Sequence, residues 1–442
     1  MPFFGIMIYL RSENMYTKED IFNLVEEEDV RFIRLQFTDM YGTIKNMAIT
    51  VSQLEKALSN RFSFDSSFVK GFESAGGAPL FLCPNLGTFQ IFPWRPHQGK
   101  VARFICDVCD ENGNHFKDDS RFILEKAVEE ARALGYTFVV RPQCEFFLFK
   151  TDDDGEPMPQ SDDKGSFFDV SPLDNGENCR RDIILSLEDM GFDVEASYHE
   201  KAPGQHEIEL PAGTALEVAD KIINFRMVVK TIAKRNGLHA TFMAKPMSGQ
   251  NGSGMHLGMT LLKDGENILL KDGKLSGDGK GFVAGLLRRA VEMACLTNPT
   301  VNSYKRLTPG HEAPCCVAWS EDVSSSFIRI VKNGIGMIKL CSPDSMSNPY
   351  LVFAACLKAG IEGIRGGMTP PDMLTAEGMP DGAQRLPMSL REAVDIAKKS
   401  DFIKDILGEN LHRAYIAEKE KEFDDYRKTV SKWELDRYFI QY

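Results

Sequence analysis

The chain has 442 residues, 43% hydrophobic and 26% charged, which is ordinary for a globular protein but too long for one compact core, so two or three domains are expected. A formal net charge of −12 excludes nucleic acid or an anionic membrane surface as the main partner. No stretch approaches the length of a membrane span, and ten cysteines without a disulfide-like framework, the isolated Cys106/Cys109 pair included, read as reduced thiols of a cytoplasmic protein.

Residues 2–9 are apolar but lack a basic start and a small-residue cleavage site, so 1–16 reads as an N-terminal extension and not a signal peptide. Ile33, Leu35 and Phe37 alternate, Asp39 to Gly42 turns, and Ile44 to Ile49 returns, which is a hairpin pattern. The polar run from Asp110 to Asp119 marks a boundary, giving a first domain over 17–109 and a second over 110–442. In the second, helical periodicity over 122–134 stops at Gly135, and strands are expected at 136–140 and 145–149. A loop over 152–165 precedes strands at 192–200 and 205–210 and an amphipathic helix over 216–235 that ends at Asn236-Gly237. His256 opens a strand through Leu261, and Asn348-Pro349 opens a helix with a capping residue and a first-turn proline. Residues 369–387 are rich in proline and glycine, and the last fifty are helical and charged.

Three of these strands deliver a carboxylate. Period-two alternation puts Glu145 on the face of Phe147 and Phe149, and Glu200 at the end of the face that carries Phe192, Val194, Ala196 and Tyr198. Glu207 and Glu209 face away from His206, Ile208 and Leu210. Any one of them alone is most simply an edge carboxylate in water. Three together, followed by the glycine-rich segment Asn251 to His256, point to a hard-cation site with oxygen ligands.

These segments resemble the signatures of type I glutamine synthetases. The resemblance rests on Asn251-Gly-Ser-Gly-Met-His256, Lys245-Pro246, Tyr198-His-Glu-Lys-Ala-Pro-Gly-Gln-His-Glu207, Asn298-Pro-Thr-Val-Asn-Ser-Tyr-Lys-Arg306 and Pro309-Gly-His-Glu-Ala-Pro314. Thr38-Asp39, Phe92-Pro-Trp94 and the terminal Gln441-Tyr442 match as well, so the likeness runs in order from about residue 17 to the end. It implies an α+β fold, with an N-terminal β-grasp domain and a catalytic domain built on a curved antiparallel sheet with helices. It also implies a homo-oligomer of two stacked hexameric rings with active sites shared between neighbours.

The reaction implied is that of an ATP-dependent glutamate–ammonia ligase of nitrogen metabolism: ATP activates the γ-carboxylate of glutamate, or of a related amino acid, and ammonia displaces the phosphate. By position, Glu145, Glu200 and Glu207 match the ligands of a Mg²⁺ or Mn²⁺ nearer the glutamate. Asn251, Gly252 and Arg306 match groups that hold the amino acid, Glu312 the flap acid, Asp39 the acid that reaches a neighbouring subunit's ammonium site, and Arg329 a phosphate-binding arginine.

The ATP half departs from the pattern. Of the second metal's ligands, His256 is kept, but Gln143 and Lys339 stand where glutamates are expected. Ser324, Met337 and Cys341 stand where arginines are expected, and Tyr198 replaces the first of two neighbouring histidines. An ammonium about 4 Å from a divalent cation is repelled by roughly 8 kcal/mol at an effective dielectric near 20. Ordinary Mg-ATP binding in the family pose is therefore not expected, and ordinary glutamine synthesis is expected to be impaired or lost. The alternative is an active synthetase or γ-glutamyl–amine ligase in which Lys339 takes the place of a metal and touches phosphate itself.

Overall fold

The computed structural model describes residues 16–95, 98–159, 161–375 and 382–441. Most of the expected N-terminal extension, the terminal Tyr442 and part of the proline- and glycine-rich segment lie outside them.

The first unit begins with helix α1 (Lys18–Glu27), set by a reciprocal cap: Asp20 N–H donates to Thr17 Oγ1 at 3.1 Å and Thr17 N–H to Asp20 Oδ2 at 2.7 Å. Strands β1 (Val30–Thr38) and β2 (Ile44–Thr50) form the expected antiparallel hairpin, with Thr38 opposite Ile44. Its turn is held by Asp39, whose Oδ1 accepts from the backbone N–H of Tyr41 and of Thr43, each at 3.0 Å. Strands β3 (Phe62–Asp65), β4 (Pro79–Pro84), β5 (Gln90–Ile91) and β6 (Lys100–Cys109) complete a sheet of order β2-β1-β6-β4-β3, with β5 paired to β6. Strand β1 runs parallel to β6 and antiparallel to β2. Ile33, Leu35, Leu82 and Phe104 fill the core of this β-grasp unit.

Helix α2 (Ser120–Ala133) follows, capped by Asp119, which accepts from Arg121 N–H. Buried Arg121 joins the two units, donating to Asp107 on β6 and, at 3.1 and 3.0 Å, to both oxygens of Asp220. The larger sheet contains β7 (Thr137–Lys150), β8 (Ala196–His199), β9 (Gln205–Glu209), β10 (Gly213–Thr214), β11 (Leu238–Thr241) and β12 (Met255–Lys263). It continues through β13 (Trp319–Ser320), β14 (Ile328–Val331) and β15 (Met337–Leu340), in the order β13-β14-β15-β12-β7-β9-β8. All of these neighbours are antiparallel except β13 and β14.

Two expectations need correction. The strands expected at 136–140 and 145–149 are one strand, β7, running straight through Pro142. Proline's missing N–H is tolerated there because Pro142 falls between the stretch paired to β10, which ends at Val140, and the stretch paired to β9, which starts at Gln143. The strand expected over 192–200 is only β8: Phe192 is buried in the core on the irregular stretch before it and not on a strand face.

Helices α3 (Glu177–Asp189) and α4 (Ala215–Arg235) cover the sheet, the latter ending at Asn236-Gly237 as expected. Helices α5 (Gly277–Thr297) and α6 (Pro349–Arg365) pack tightly against each other, and Asn348 caps α6 by accepting from Tyr350 N–H. Helices α7 (Leu390–Ala397), α8 (Asp401–Arg427, kinked at Gly408) and α9 (Lys432–Tyr438) close the chain. Among the described residues no helix is long and apolar enough to cross a membrane.

Candidate active site

Sheet register brings the three glutamates together. Glu145 on β7 lies directly opposite Glu207 on β9, and Glu200 follows the last residue of β8, which pairs with the other side of β9. One carboxylate oxygen from each lies within 4.8 Å of the others. Glu145 Oε2 accepts from Gln205 Nε2 at 2.9 Å and from Gly254 N–H at 2.8 Å. Buried His199 fixes the backbone at Glu200, its Nδ1 meeting the Glu200 carbonyl at 2.6 Å and its Nε2 meeting Asp163 at 2.9 Å. Burial alone would lower the His199 pKa, but these two acceptors raise it.

The cluster is short of positive charge. Burial first, then Glu200 and Glu207, push Glu145 up to about 8, and burial with Glu207 pushes Glu200 up to about 7. An all-oxygen donor set in that condition fits a divalent cation of the Mg²⁺ or Mn²⁺ type.

Beside it, at the positions where departures from the family pattern were expected, protein groups satisfy one another. Gln143 Nε2 donates to Glu207 Oε1 at 2.8 Å and to Glu209 Oε1 at 2.9 Å, and Tyr198 OH reaches the same two oxygens at 2.5 and 2.9 Å. Lys339 Nζ donates to Gln143 Oε1, and Arg141 Nη2 binds Glu209 Oε2 at 2.7 Å. Lys339 sits opposite Arg329 across β14 and β15, and opposite Gly258 on β12. Burial lowers the Lys339 pKa, and Arg329 adds to the effect. Arg329 Nε is buried with no hydrogen-bond partner among the described residues.

His256 lies opposite Gln143 on β12 and does not join the three-glutamate group. Burial, then Lys339, Arg306 and Arg329, drive its pKa well down, so its ring stays neutral. Met337, on β15, and Cys341, just past the end of that strand, flank Lys339 and are buried.

The glycine-rich loop is shaped by close approaches. A Cβ at Gly252 would come within 2.1 Å of the Ala244 carbonyl, and one at Gly254 within 2.6 Å of Arg306 Nη2. Arg306 is buried and donates to the carbonyls of Ser342 at 2.8 Å and Cys341 at 3.1 Å. Glu312, on a loop with left-handed φ of 57°, is clasped by Lys201 Nζ at 2.6 Å and by Asn251 Nδ2 at 3.1 Å. Asp39 Oδ1 braces its own turn, and Lys45 Nζ lies 3.2 Å from Oδ2. Gln205, which links Glu145 to the Gly252 carbonyl at 3.1 Å, and Lys201 were not singled out from sequence, although both lie inside the motif from Tyr198 to Glu207.

Comparison with known proteins agrees with this architecture. Residues 29–111 match the family model described as glutamine synthetase, beta-Grasp domain, and residues 117–438 match glutamine synthetase, catalytic domain. The chain is 50% identical over 440 residues to a glutamine synthetase of Clostridium saccharobutylicum, covering 97% of this chain and 99% of that one. It is 46% identical over 441 residues to a glutamine synthetase of Staphylococcus aureus strain Mu50, with the same coverage. Two solved structures, titled "GmaS/ADP complex-Conformation 1" and "Apo GmaS without ligand", superpose with TM-scores of 0.86 and 0.85 at 27% and 28% identity, each over 94% of this chain and 98% of that one. With both family models matched and near full-length relatives at this identity, the chain belongs to the glutamine synthetase family.

Proposed function

We propose that this chain is an ATP-dependent carboxylate–amine ligase, acting on glutamate or a related amino acid, in which Lys339 and Arg329 meet the nucleotide phosphates where the family places a second metal. The observation that carries this reading is the facing pair itself. Two cations opposite each other on adjacent antiparallel strands repel, and Arg329 keeps an unsatisfied buried N–H, so the place is built for an anion. That one superposable structure is titled as an ADP complex supports a nucleotide as a ligand of this fold.

In this scheme Asn251, Gly252 and Arg306 hold the amino acid, and Glu145, Glu200 and Glu207 hold one Mg²⁺ or Mn²⁺. When bound, that ion supplies charge neutralisation of the carboxylate and the transferring phosphoryl group. Lys339 and Arg329 neutralise the phosphate oxygens as charge develops on them. Glu312 closes the substrate side and shields it from water, and Asp39 takes a proton from the ammonium of a neighbouring subunit's site. The assembly is a cytoplasmic homododecamer of two hexameric rings, its domains dividing near residues 109–110.

A second reading is favoured by the replacements around Lys339. Gln143 supplies no negative charge, and Met337 and Cys341 supply no cation, each lost arginine contact being worth roughly 1.5–3 kcal/mol. On that reading ordinary glutamine synthesis is lost, and the protein binds an amino acid and one metal without turnover.

One experiment separates the two: calorimetric ATP binding and amine-dependent phosphate release for the wild type and Lys339→Ala. The ligase reading expects ATP binding and glutamate-dependent turnover in the wild type, both lowered by at least about tenfold in Lys339→Ala, the loss of one charge-assisted contact. No ATP binding at millimolar concentration would overturn it in favour of the second reading.

A further inference from the structure

A separate set of ligand-type side chains lies at the joint between the two units. Asp107 projects from β6, His115 from the segment after it, and Glu125 from α2, with one ligand atom of each within 4.8 Å of the others. The chain is shaped to deliver His115. Asp110 Oδ1 accepts from Asn112 N–H and Asn114 N–H, each at 2.9 Å, and an isolated bridge sets His115 beside Cys109. The imidazole then stacks on Phe122 at 4.8 Å with 16° between the planes, which fixes the direction of its nitrogens.

Two of the ligand atoms are unsatisfied. His115 Nδ1 and Glu125 Oε2 are shut off from water and have no hydrogen-bond partner among the described residues. They stand 3.9 Å apart, too far for a hydrogen bond. Two ligands about 2.1 Å from a shared ion stand at most about 4.2 Å apart, so one ion between them satisfies both.

The surroundings favour a cation. Arg121 takes Asp107 Oδ1, leaving the second oxygen, and its charge is also matched by Asp220. The cluster itself brings two carboxylates against one imidazole.

We propose that Asp107, His115 and Glu125 form a zinc site that joins the β-grasp unit to the first helix of the catalytic unit. One imidazole with two carboxylates suits Zn²⁺ better than Mg²⁺ or Ca²⁺, which take oxygen ligands, and water completes the coordination. The site is independent of the proposed ligase chemistry and of the Glu145, Glu200 and Glu207 cluster.

The test is Zn²⁺ binding to the full chain by equilibrium dialysis, with zinc X-ray absorption, for wild type, His115→Phe and Glu125→Gln. Phenylalanine preserves the stack on Phe122, and glutamine preserves the shape of the glutamate, so the two variants perturb the fold in different ways. The expected result is one Zn²⁺ fewer per chain in each variant, loss of one imidazole from the zinc scattering in His115→Phe, and unchanged Mg²⁺ binding. A zinc-induced rise in Tm should appear in the wild type and vanish in both variants. Equal zinc content in all three proteins, or a wild type that takes no zinc at this joint, would overturn the proposal and leave His115 and Glu125 as a loose ion pair.

Discussion

Glu207 divides its labour between its two oxygens. Oε1 receives Gln143 and Tyr198, which leaves Oε2 as its share of the carboxylate cluster. Removing it should weaken Mg²⁺ binding by more than about tenfold, the lower end of what even an outer-sphere partner is worth. Proton competition gives a second handle. Glu145 and Glu200 are raised from 4.5 to about 8 and about 7, mainly by burial. Between those limits the folded, metal-free protein therefore binds more protons than the unfolded chain, and its stability falls as pH rises across the window. A bound cation favours the ionised forms, so Mg²⁺ affinity should rise from about pH 6 to about pH 8. Isothermal titration at both pH values on wild type and Glu207→Ala checks this. A flat pH response, or a variant that binds as well as the wild type, would contradict the cation assignment. That these three glutamates come together was legible in the sequence because each lies in a motif. The link from Lys339 through Gln143 to Glu207 was not, because it is created by three strands meeting in register, with residues 143, 207 and 339 far apart in the chain.

At the level of elements, local patterns served well where the ends carry their own chemistry. The β1–β2 hairpin has Asp39 in its turn, α4 stops at Asn236-Gly237, and α6 starts from Asn348-Pro349. They failed where a neighbour decides: Pro142 reads as a strand breaker until β7 is seen changing partners beside it. The seam between α5 and α6 is another tertiary feature. Their glycines look like weak points in helices, yet a Cβ at Gly285 would sit 2.0 Å from the Ala359 carbonyl, and one at Gly363 2.0 Å from the Gly281 carbonyl. The two backbones touch because neither carries a side chain there. Gly285→Ala should therefore destabilise the protein by about 3 kcal/mol, the upper end of ordinary overpacking, although alanine is the better helix former. Equilibrium urea unfolding measures it, and an unchanged midpoint would refute the backbone contact.

For the whole molecule, the C-terminal end presents its apolar side chains outward: Trp433, Leu435, Phe439 and Ile440 are exposed, the last two by 80% and 95%. A run of large apolar groups on one short terminal element is what an interface leaves behind when one subunit is viewed alone. Multi-angle light scattering at micromolar concentration should give a dodecamer for the full chain and a smaller species for a chain ending at Thr429. A stable monomer or dimer from the full chain would rule the rings out. The facing cations of β14 and β15 have a consequence at this scale too. Repulsion between Arg329 and Lys339 works against the pairing of those two strands, and a phosphate group lying between them would turn the repulsion into a clamp. Amide hydrogens of Ile328–Val331 and Met337–Leu340 would then exchange with solvent fastest in the free protein and slow as the anion fills its place. The breathing of one strand pair becomes a gauge of how much phosphate-bearing ligand surrounds the molecule.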